Sequence, residues 1–343
     1  MPLSKILPSG VSQPTPVNAI INGNMSCSQR GTSSTGVGAT AGFFTVDRWK
    51  LDFSGSGRLT MSQDSSAPSG FANSMKLDCT TADTSIGSGE ILLIQQRIEG
   101  QNLQHFAKGT SDAKAFAVSF YVKGNASATY VCELHDEDNN RHCSKLFNVT
   151  TAWTRVELTF PADTTGAFDD DNGRSLNFNI VLHTGSTYSS GTLNSSGFAS
   201  TVSANRYGGI SSFYDSTDRT FFITGVQLTA GSHHHDFISE SYAETLAKCY
   251  RYYYKSTTYP LSIANASSTG YSFRQERTQQ HSMPVIMRST PTITAVESIK
   301  SLASGSITLD GNVDHVVIYP SGYAGDLPSD NYWYGGYTAD AEL

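Results

Sequence analysis

The chain has 343 residues, a formal net charge of −7 and only 15 % charged residues, with no lysine or arginine run. Nucleic acid is excluded as a partner on this pattern, because phosphate binding needs clustered cations. Membrane insertion is not expected either, since the most apolar run, "EILLIQQRIEG", is far too short to span a bilayer.

Five scattered cysteines, Cys27, Cys79, Cys132, Cys143 and Cys249, are too few and odd in number for a disulfide framework. The opening "MPLSKILPSG" lacks the apolar stretch of a secretory signal, so synthesis in a cytoplasm without export is the expectation. Plentiful Gly, Tyr, Phe, Ser and Thr favour an all-β fold of many short strands.

Residues 1–40 are rich in Ser, Gly, Pro, Thr and Asn and read as an extended N-terminal docking arm. Strand signals begin at "FFTVDRWKLDF" and recur through "SMKLDCTT", "KAFAVSFYVKG", "AWTRVELTFP", "LNFNIVLHTG" and "RTFFITGVQLTAG". In one of them Phe116, Val118, Phe120 and Val122 alternate with Ala117, Ser119 and Tyr121, the period of a half-buried strand. "GEILLIQQRIEGQNLQHF" reads as a strand and then one helical turn. Residues 41–238 are therefore expected to form a β-sandwich.

Around Ser239 the period changes. Ser241 stands three residues before Glu244, a capping-box spacing, and Tyr242, Leu246, Cys249 and Tyr250 share one helical face. Residues 239–255 read as a linking helix and the start of a strand. Residues 256–343 read as a smaller C-terminal β domain, with "SITLDGNVDHVVIYP" a hairpin turning at Asp310-Gly311.

Few motifs carry chemistry. His233, His234 and His235 are consecutive, so their side chains diverge, and a solvated hinge is the plainer reading; in a trimer one histidine from each chain could meet on the axis. Cys132, His135, His142 and Cys143 flank a polar turn over Asp136–Asn140, as zinc ligands, as a disulfide or simply as a hairpin. Asp169, Asp170 and Asp171 are oxygen donors of the kind a hard cation such as calcium takes, but the alternating spacing of a calcium loop is missing, and a polar turn at Asn172-Gly173 accounts for them.

Trp49, Trp153, Trp333 and the tyrosines Tyr250, Tyr252, Tyr253 and Tyr254 could stack on sugar rings. Of these, Trp49, Tyr252, Tyr254 and Trp333 are the ligand-binding candidates. Trp153 reads as core, and "YRYYY" suits a subunit contact equally. No nucleophile elbow, zincin, P-loop or dinucleotide motif is present. Glu133, Asp136 and Glu137 could pair as glycosidase carboxylates do, but nothing in their spacing marks such a pair. No catalytic residue is assigned and an enzyme is not expected.

Several stretches together resemble a module of tailed-bacteriophage tail fibre and minor virion structural proteins. Gly225, Val226, Gln227, Leu228, Gly231 and Ser232 match its G-V-Q-L-E-x-G-S strand end. Phe237, Ser241, Tyr242, Glu244, Leu246, Cys249, Arg251, Tyr252 and Tyr253 match the S-Y-x-E-E-L-x-x-C-x-R-Y-Y segment and the Phe before it. "MPLSKI", "MPVIMRSTPTIT" and the closing "ADAEL" look like other parts of the same family. Thr229 departs from the usual Glu, and the three histidines stand where small or apolar residues are usual.

The resemblance implies a jelly-roll-like sandwich similar to carbohydrate-binding modules, with no sugar-binding residue to carry over. It implies a virion location, other virion proteins as partners, a homotrimer, and attachment to a host surface glycan by a tail fibre or receptor-binding protein. A capsid decoration or head-fibre protein and a surface-polysaccharide depolymerase are the alternatives. One sandwich can serve any of these roles.

Overall fold

A computed structural model describes residues 16–256, 260–264, 267–268, 271–272, 279–301, 306–321 and 332–343. The larger part is a two-sheet antiparallel β-sandwich. Its strands are β1 (Ser33–Val37), β2 (Gly42–Phe43), β3 (Lys50–Ser54), β4 (Arg58–Asp64), β5 (Ser74–Thr81), β6 (Ile91–Glu99), β7 (Phe116–Gly124), β8 (Ala128–Asp136), β9 (Arg141–Val149), β10 (Thr154–Phe160), β11 (Arg174–Thr184), β12 (Ala199–Ser200) and β13 (Thr220–Ala230). A six-stranded sheet has the order β1-β4-β5-β13-β7-β10 and faces a seven-stranded sheet of order β12-β9-β8-β11-β6-β3-β2.

The alternation of apolar side chains explains the packing. Phe116, Val118, Phe120 and Val122 of β7 are fully buried and meet Cys132, Leu134, Leu176, Phe178 and Ile180 from the opposite sheet in one core. Truncating one such phenylalanine to alanine would cost about 3–5 kcal/mol.

The expected arm over residues 1–40 is corrected from residue 16 onward. Ala19, Ile20, Met25 and Val37 are buried in the sandwich core, Cys27 is buried as well, and residues 33–37 are strand β1. The segment runs beside β13, where the Ala19 amide donates to the Leu228 carbonyl and the Val226 amide to the Gly23 carbonyl, both at 2.9 Å. Apolar residues scattered among turn formers, not any regular period, supply this packing. Gly225 takes a φ of 63° at the point where the β13–β7 register shifts. A Cβ there would lie 2.7 Å from the Phe71 ring, so the bulge requires glycine.

Helix α1 (Ser186–Ser189) is a single turn in the long connection after β11, and α2 (Tyr242–Tyr250) links the sandwich to the rest. Ser241 and Glu244 form the expected capping box. The inward face differs from expectation: Thr245 and Cys249 are buried, whereas Tyr242 is 59 % exposed. Trp153, expected in the core, is half-buried and packs edge-on to Phe222 at 6.1 Å.

The C-terminal strands are β14 (Tyr253–Lys255), β15 (Leu261–Ala264), β16 (Ser267–Ser268), β17 (Tyr271–Ser272), β18 (Gln279–Ser282), β19 (Thr292–Ser301), β20 (Ser306–Gly311), β21 (His315–Ser321) and β22 (Tyr332–Asp340). β14, β15 and β19 all pair with β22, and β18-β21-β20 form a second small sheet. Leu261, Met283, Met287, Val316, Ile318, Tyr337, Ala339 and Ala341 make a separate core. The expected β20–β21 hairpin is present, but Gly311 pairs with Val316, so the bend falls at residues 312–315 and not at Asp310-Gly311.

This region is fastened to the sandwich by one buried and one half-buried ion pair. Arg48, 1 % exposed, pairs with Glu342, and Arg251 grips Glu99 at 2.9 and 2.7 Å. No helix among the described residues is long and apolar enough to cross a membrane.

Candidate functional site

The outward face of the seven-stranded sheet carries polar side chains where an exposed face would ordinarily vary freely. Strand register aligns them in two rows. Ser144, Glu133, Asn179, Gln95 and Lys50 are successive cross-strand partners from β9 to β3. One step along, His142, His135, Asn177 and Arg97 form the second row. An apolar row of Val131, Val181 and Leu93 lies on the other side of the first.

The connection between β11 and β13 folds over part of this face. Tyr207 packs onto the apolar row, and Tyr188 of α1 lies beside it with ring centroids 6.1 Å apart. What stays open is a groove of about 370 Å³, lined by side chains that include Arg97, His135, Glu137, Arg174, Asn177, Asn179, Tyr188, Arg206 and Tyr207. Clefts of roughly 300–1,000 Å³ are the size that holds small ligands.

The groove is internally wired. Gln95 Nε2 donates to Asn179 Oδ1 at 3.0 Å, and Asn179 Nδ2 donates to Glu133 Oε2 at 2.8 Å. Arg206 donates to both Glu133 oxygens at 2.8 Å, and the Tyr207 hydroxyl donates to Oε2 at 2.9 Å. Burial works to raise the Glu133 pKa, but Arg206 and the other donors hold it below the usual carboxylate range. Glu137 is held at about 2, first by the His135 side chain and, against the effect of burial, by Arg174. Arg174 Nη2 lies 2.8 Å from Glu137 Oε2. Asn177 donates to Glu137 Oε1, while its own Oδ1 is buried without a protein partner.

Glu137 on the groove wall and Glu133 buried beneath it are therefore ionised at neutral pH, and Asp52, which also lines the groove, lies 3.5 Å from Lys50. A glycosidase needs one carboxylic acid kept protonated to protonate the leaving oxygen. Asp136, the third carboxylate considered as a catalytic partner, does not join them. It lies fully buried, 2.6 Å from the Lys108 ammonium, which Asp163 and the carbonyls of Thr165 and Gly166 also surround.

The sequence-predicted site residues lie elsewhere. Trp49 is fully buried, edge-on to Phe178, with its indole N–H donating to the Asn22 carbonyl at 3.1 Å, so it cannot stack on a ligand. Tyr252 is 1 % exposed beneath the Arg48 guanidinium, 3.4 Å from its ring centroid, and is likewise structural. Tyr254 is half-buried against Tyr250 and Tyr337. Trp333 pairs along β22 with Ile263 and Lys300, and its side chain lies outside the described residues.

The metal candidates are corrected too. Among the described residues no three His, Cys, Asp or Glu side chains come together as an ion site. Asp171 Oδ1 accepts from the Gly173 amide at 2.7 Å, and the Asp169 amide donates to Asp138, so Asp169, Asp170 and Asp171 form a polar turn and do not converge as three ligands. Cys143 stands opposite Leu134 and Cys132 opposite Lys145, so the hairpin register separates the two thiols, and both are free and buried. Its turn covers residues 137–140, with Asn140 in the left-handed region at φ 48°. His233, His234 and His235 lie along the sheet edge: His234 Nε2 is 2.9 Å from Thr159 Oγ1, and Arg155 donates to the His235 carbonyl.

No protein-family model and no curated protein matches the sequence. Among solved structures the chain is similar to the enzymatically active domain of bacteriophage CBA120 tailspike protein 4, at 13 % identity over 62 % of this chain, with a TM-score of 0.32. It spans 21 % of that tailspike chain. A family 30 carbohydrate-binding module is 12 % identical over 67 % of this chain and 94 % of its own, with a TM-score of 0.33. The family 11 carbohydrate-binding module of a Clostridium thermocellum cellulase is 13 % identical over 59 % of this chain and 97 % of its own, with a TM-score of 0.29. At such identities and scores, function rests on what the groove itself can do.

Proposed function

We propose that the chain is a glycan-binding module that takes an oligosaccharide along the outer face of the seven-stranded sheet, within an attachment protein of a tailed-phage virion. The observation that carries the glycan reading is the pair of registered polar rows. Amides, guanidinium groups and carboxylates at fixed spacing offer paired donors and acceptors to ring hydroxyls, and each is held in place by its neighbours. Tyr188, half-buried and backed by the buried Tyr207, adds an aromatic flank on which an apolar sugar face can lie. The ionised state of Glu133 and Glu137 favours binding without cleavage. The tail-fibre setting is supported by the matched residues Gly225–Leu228 and Ser241–Tyr253. There, weak contacts repeated over many copies would give firm attachment.

The test is a microarray of bacterial surface glycans probed with the full chain, with bound glycans then checked for new reducing ends. Saturable binding without new ends is expected; release of oligosaccharides would make the chain a depolymerase instead. Immunogold labelling of intact virions tests the setting: gold at tail or fibre tips is expected, and gold over the head would make it a decoration protein.

A further inference from the structure

Beyond the tyrosine flank, the outer face of the seven-stranded sheet holds a serine, a histidine and a glutamate in series. Along β11 Leu176, Phe178, Ile180 and Leu182 enter the core, while Asn177, Asn179 and Val181 face outward, and His183 is the next outward position. His183 is buried, yet both ring nitrogens have partners. Nδ1 lies 2.8 Å from Ser212 Oγ, and Nε2 lies 3.4 Å from Glu90 Oε2. With the ring proton on Nε2, toward the carboxylate, Nδ1 accepts from the Ser212 hydroxyl.

The neighbours hold this series in place. The Tyr214 ring packs edge-on to the imidazole at 5.2 Å, and the Tyr214 amide donates to Ser212 Oγ at 3.1 Å. The Glu90 carbonyl accepts from the Gly185 amide at 2.8 Å, which ties Glu90 to the end of β11. Burial lowers the His183 pKa against the pull of Glu90, so the imidazole is neutral and able to take a proton at neutral pH. A hydroxyl bonded to a neutral imidazole that a carboxylate orients is the arrangement of an activated nucleophile.

Ser212 is half-buried and opens onto a cavity of about 140 Å³, whose wall includes Thr184, Ser189, Ile210 and the exposed Ile86. The cavity is smaller than the roughly 300 Å³ at which clefts hold whole small ligands, and its isoleucines suit a short acyl group. Tyr188 lines the groove and its neighbour Ser189 lines the cavity, so the two openings flank the single turn α1.

We propose that Ser212, His183 and Glu90 hydrolyse a short O-acyl ester, such as an acetyl, on the sugar chain that the groove binds. This rests on the glycan-binding reading and adds an activity beside the same groove. Ser212 Oγ bonds to the ester carbonyl carbon as its proton passes to His183 Nδ1. The adduct collapses, the bond to the sugar oxygen breaks, and that oxygen takes the proton and leaves as a free hydroxyl. Water then attacks the acyl–Ser212 ester, His183 passes the water's proton to Ser212 Oγ, and the acyl group leaves as its carboxylic acid. Glu90 is the positioning residue, and glycosidic bonds stay intact throughout.

The experiment treats the full chain with a fluorophosphonate probe, which bonds covalently to activated serines, and maps the adduct by peptide mass spectrometry. Acetate release is measured from p-nitrophenyl acetate and from O-acetylated oligosaccharides. The expected results are an adduct on Ser212 of the folded but not the urea-unfolded chain, and acetate release about a hundredfold or more above buffer. Ser212→Ala, at unchanged melting temperature, should lose both. Glu90→Gln should lower kcat about tenfold or more at unchanged KM, a split that loss of a merely structural contact would not produce. Array binding by the wild type with no Ser212 adduct and no release above buffer would overturn the inference and leave the glycan reading standing, and so would release that persists in Ser212→Ala. An adduct and p-nitrophenyl acetate hydrolysis without any array binding would support Ser212 as the nucleophile and overturn the glycan reading.

Discussion

Lys108→Met is the sharpest test of how the groove is held in place. The Lys108 ammonium and the Asp136 carboxylate are both fully buried and 2.6 Å apart, with Asp163 at 3.2 Å and the carbonyls of Thr165 and Gly166 at 2.9 and 2.6 Å. Methionine fills the stem's volume but removes the charge and its donors. Breaking a buried pair by removing one partner costs about 3–5 kcal/mol, because the remaining charge is stranded. Asp136 would keep only the Asn139 donors at 3.0–3.2 Å, and Asp163 would keep Arg141 at 2.8 Å, which places the expected loss near ~3 kcal/mol. Urea unfolding should show a lower midpoint at unchanged slope. Adding Asp136→Asn to the variant should recover part of the loss, since the stranded charge is then gone. A loss under about 1 kcal/mol would show that water reaches the ammonium and would refute the reasoning. Asp136 lies between His135 and Glu137, so the same variant should also loosen the groove.

Other outcomes follow from the same structure. Glu133→Gln should cost about 3 kcal/mol and weaken glycan binding, because the Arg206 fork loses its bidentate acceptor; chemical denaturation and calorimetry on one preparation check both. Asp47 has its pKa raised to about 6, burial outweighing the Gln29 donors and Arg30. The folded state therefore binds this proton more tightly than the unfolded state, so this contribution favours folding below about pH 4 and is lost as pH rises through about 6. The difference in melting temperature between wild type and Asp47→Asn should change across that window and be flat above it; a flat difference throughout would contradict the shift. Chelator should leave the melting temperature unchanged, and added calcium should not raise it, because Asp169, Asp170 and Asp171 serve a turn and the nearby oxygen cage already holds a lysine.

The sandwich was legible wherever a strand buries one face. Phe116, Val118, Phe120 and Val122 declare a strand by alternation alone, and Ser241 with Glu244 declares the start of α2 through a local hydrogen-bond exchange. The segment around Ala19–Cys27 was not legible, because its burial comes from lying beside β13, a partner some two hundred residues away. Trp49 and Tyr252 misled for the same reason: aromatic character does not say which side of a sheet or joint a ring takes, and Arg48 turns Tyr252 into the floor of an ion pair. The groove left a faint signal. Gln95/Arg97, Glu133/His135 and Asn177/Asn179 are polar residues two apart within strands, one such pair in each of three segments. Only strand order reveals that those segments are adjacent, and only register aligns the pairs. Tyr188 and Arg206, carried by the connection that folds over the sheet, had no signal of this kind.

The measurement that bears most directly on the central claim is the location of a bound oligosaccharide, by a crystal structure of the full chain with the best glycan from the array. The account predicts sugar density on the outer face of the seven-stranded sheet, within hydrogen-bond reach of Asn177 and Arg97 and against Tyr188. Density on the six-stranded sheet or among the C-terminal strands, with the groove empty, would contradict it.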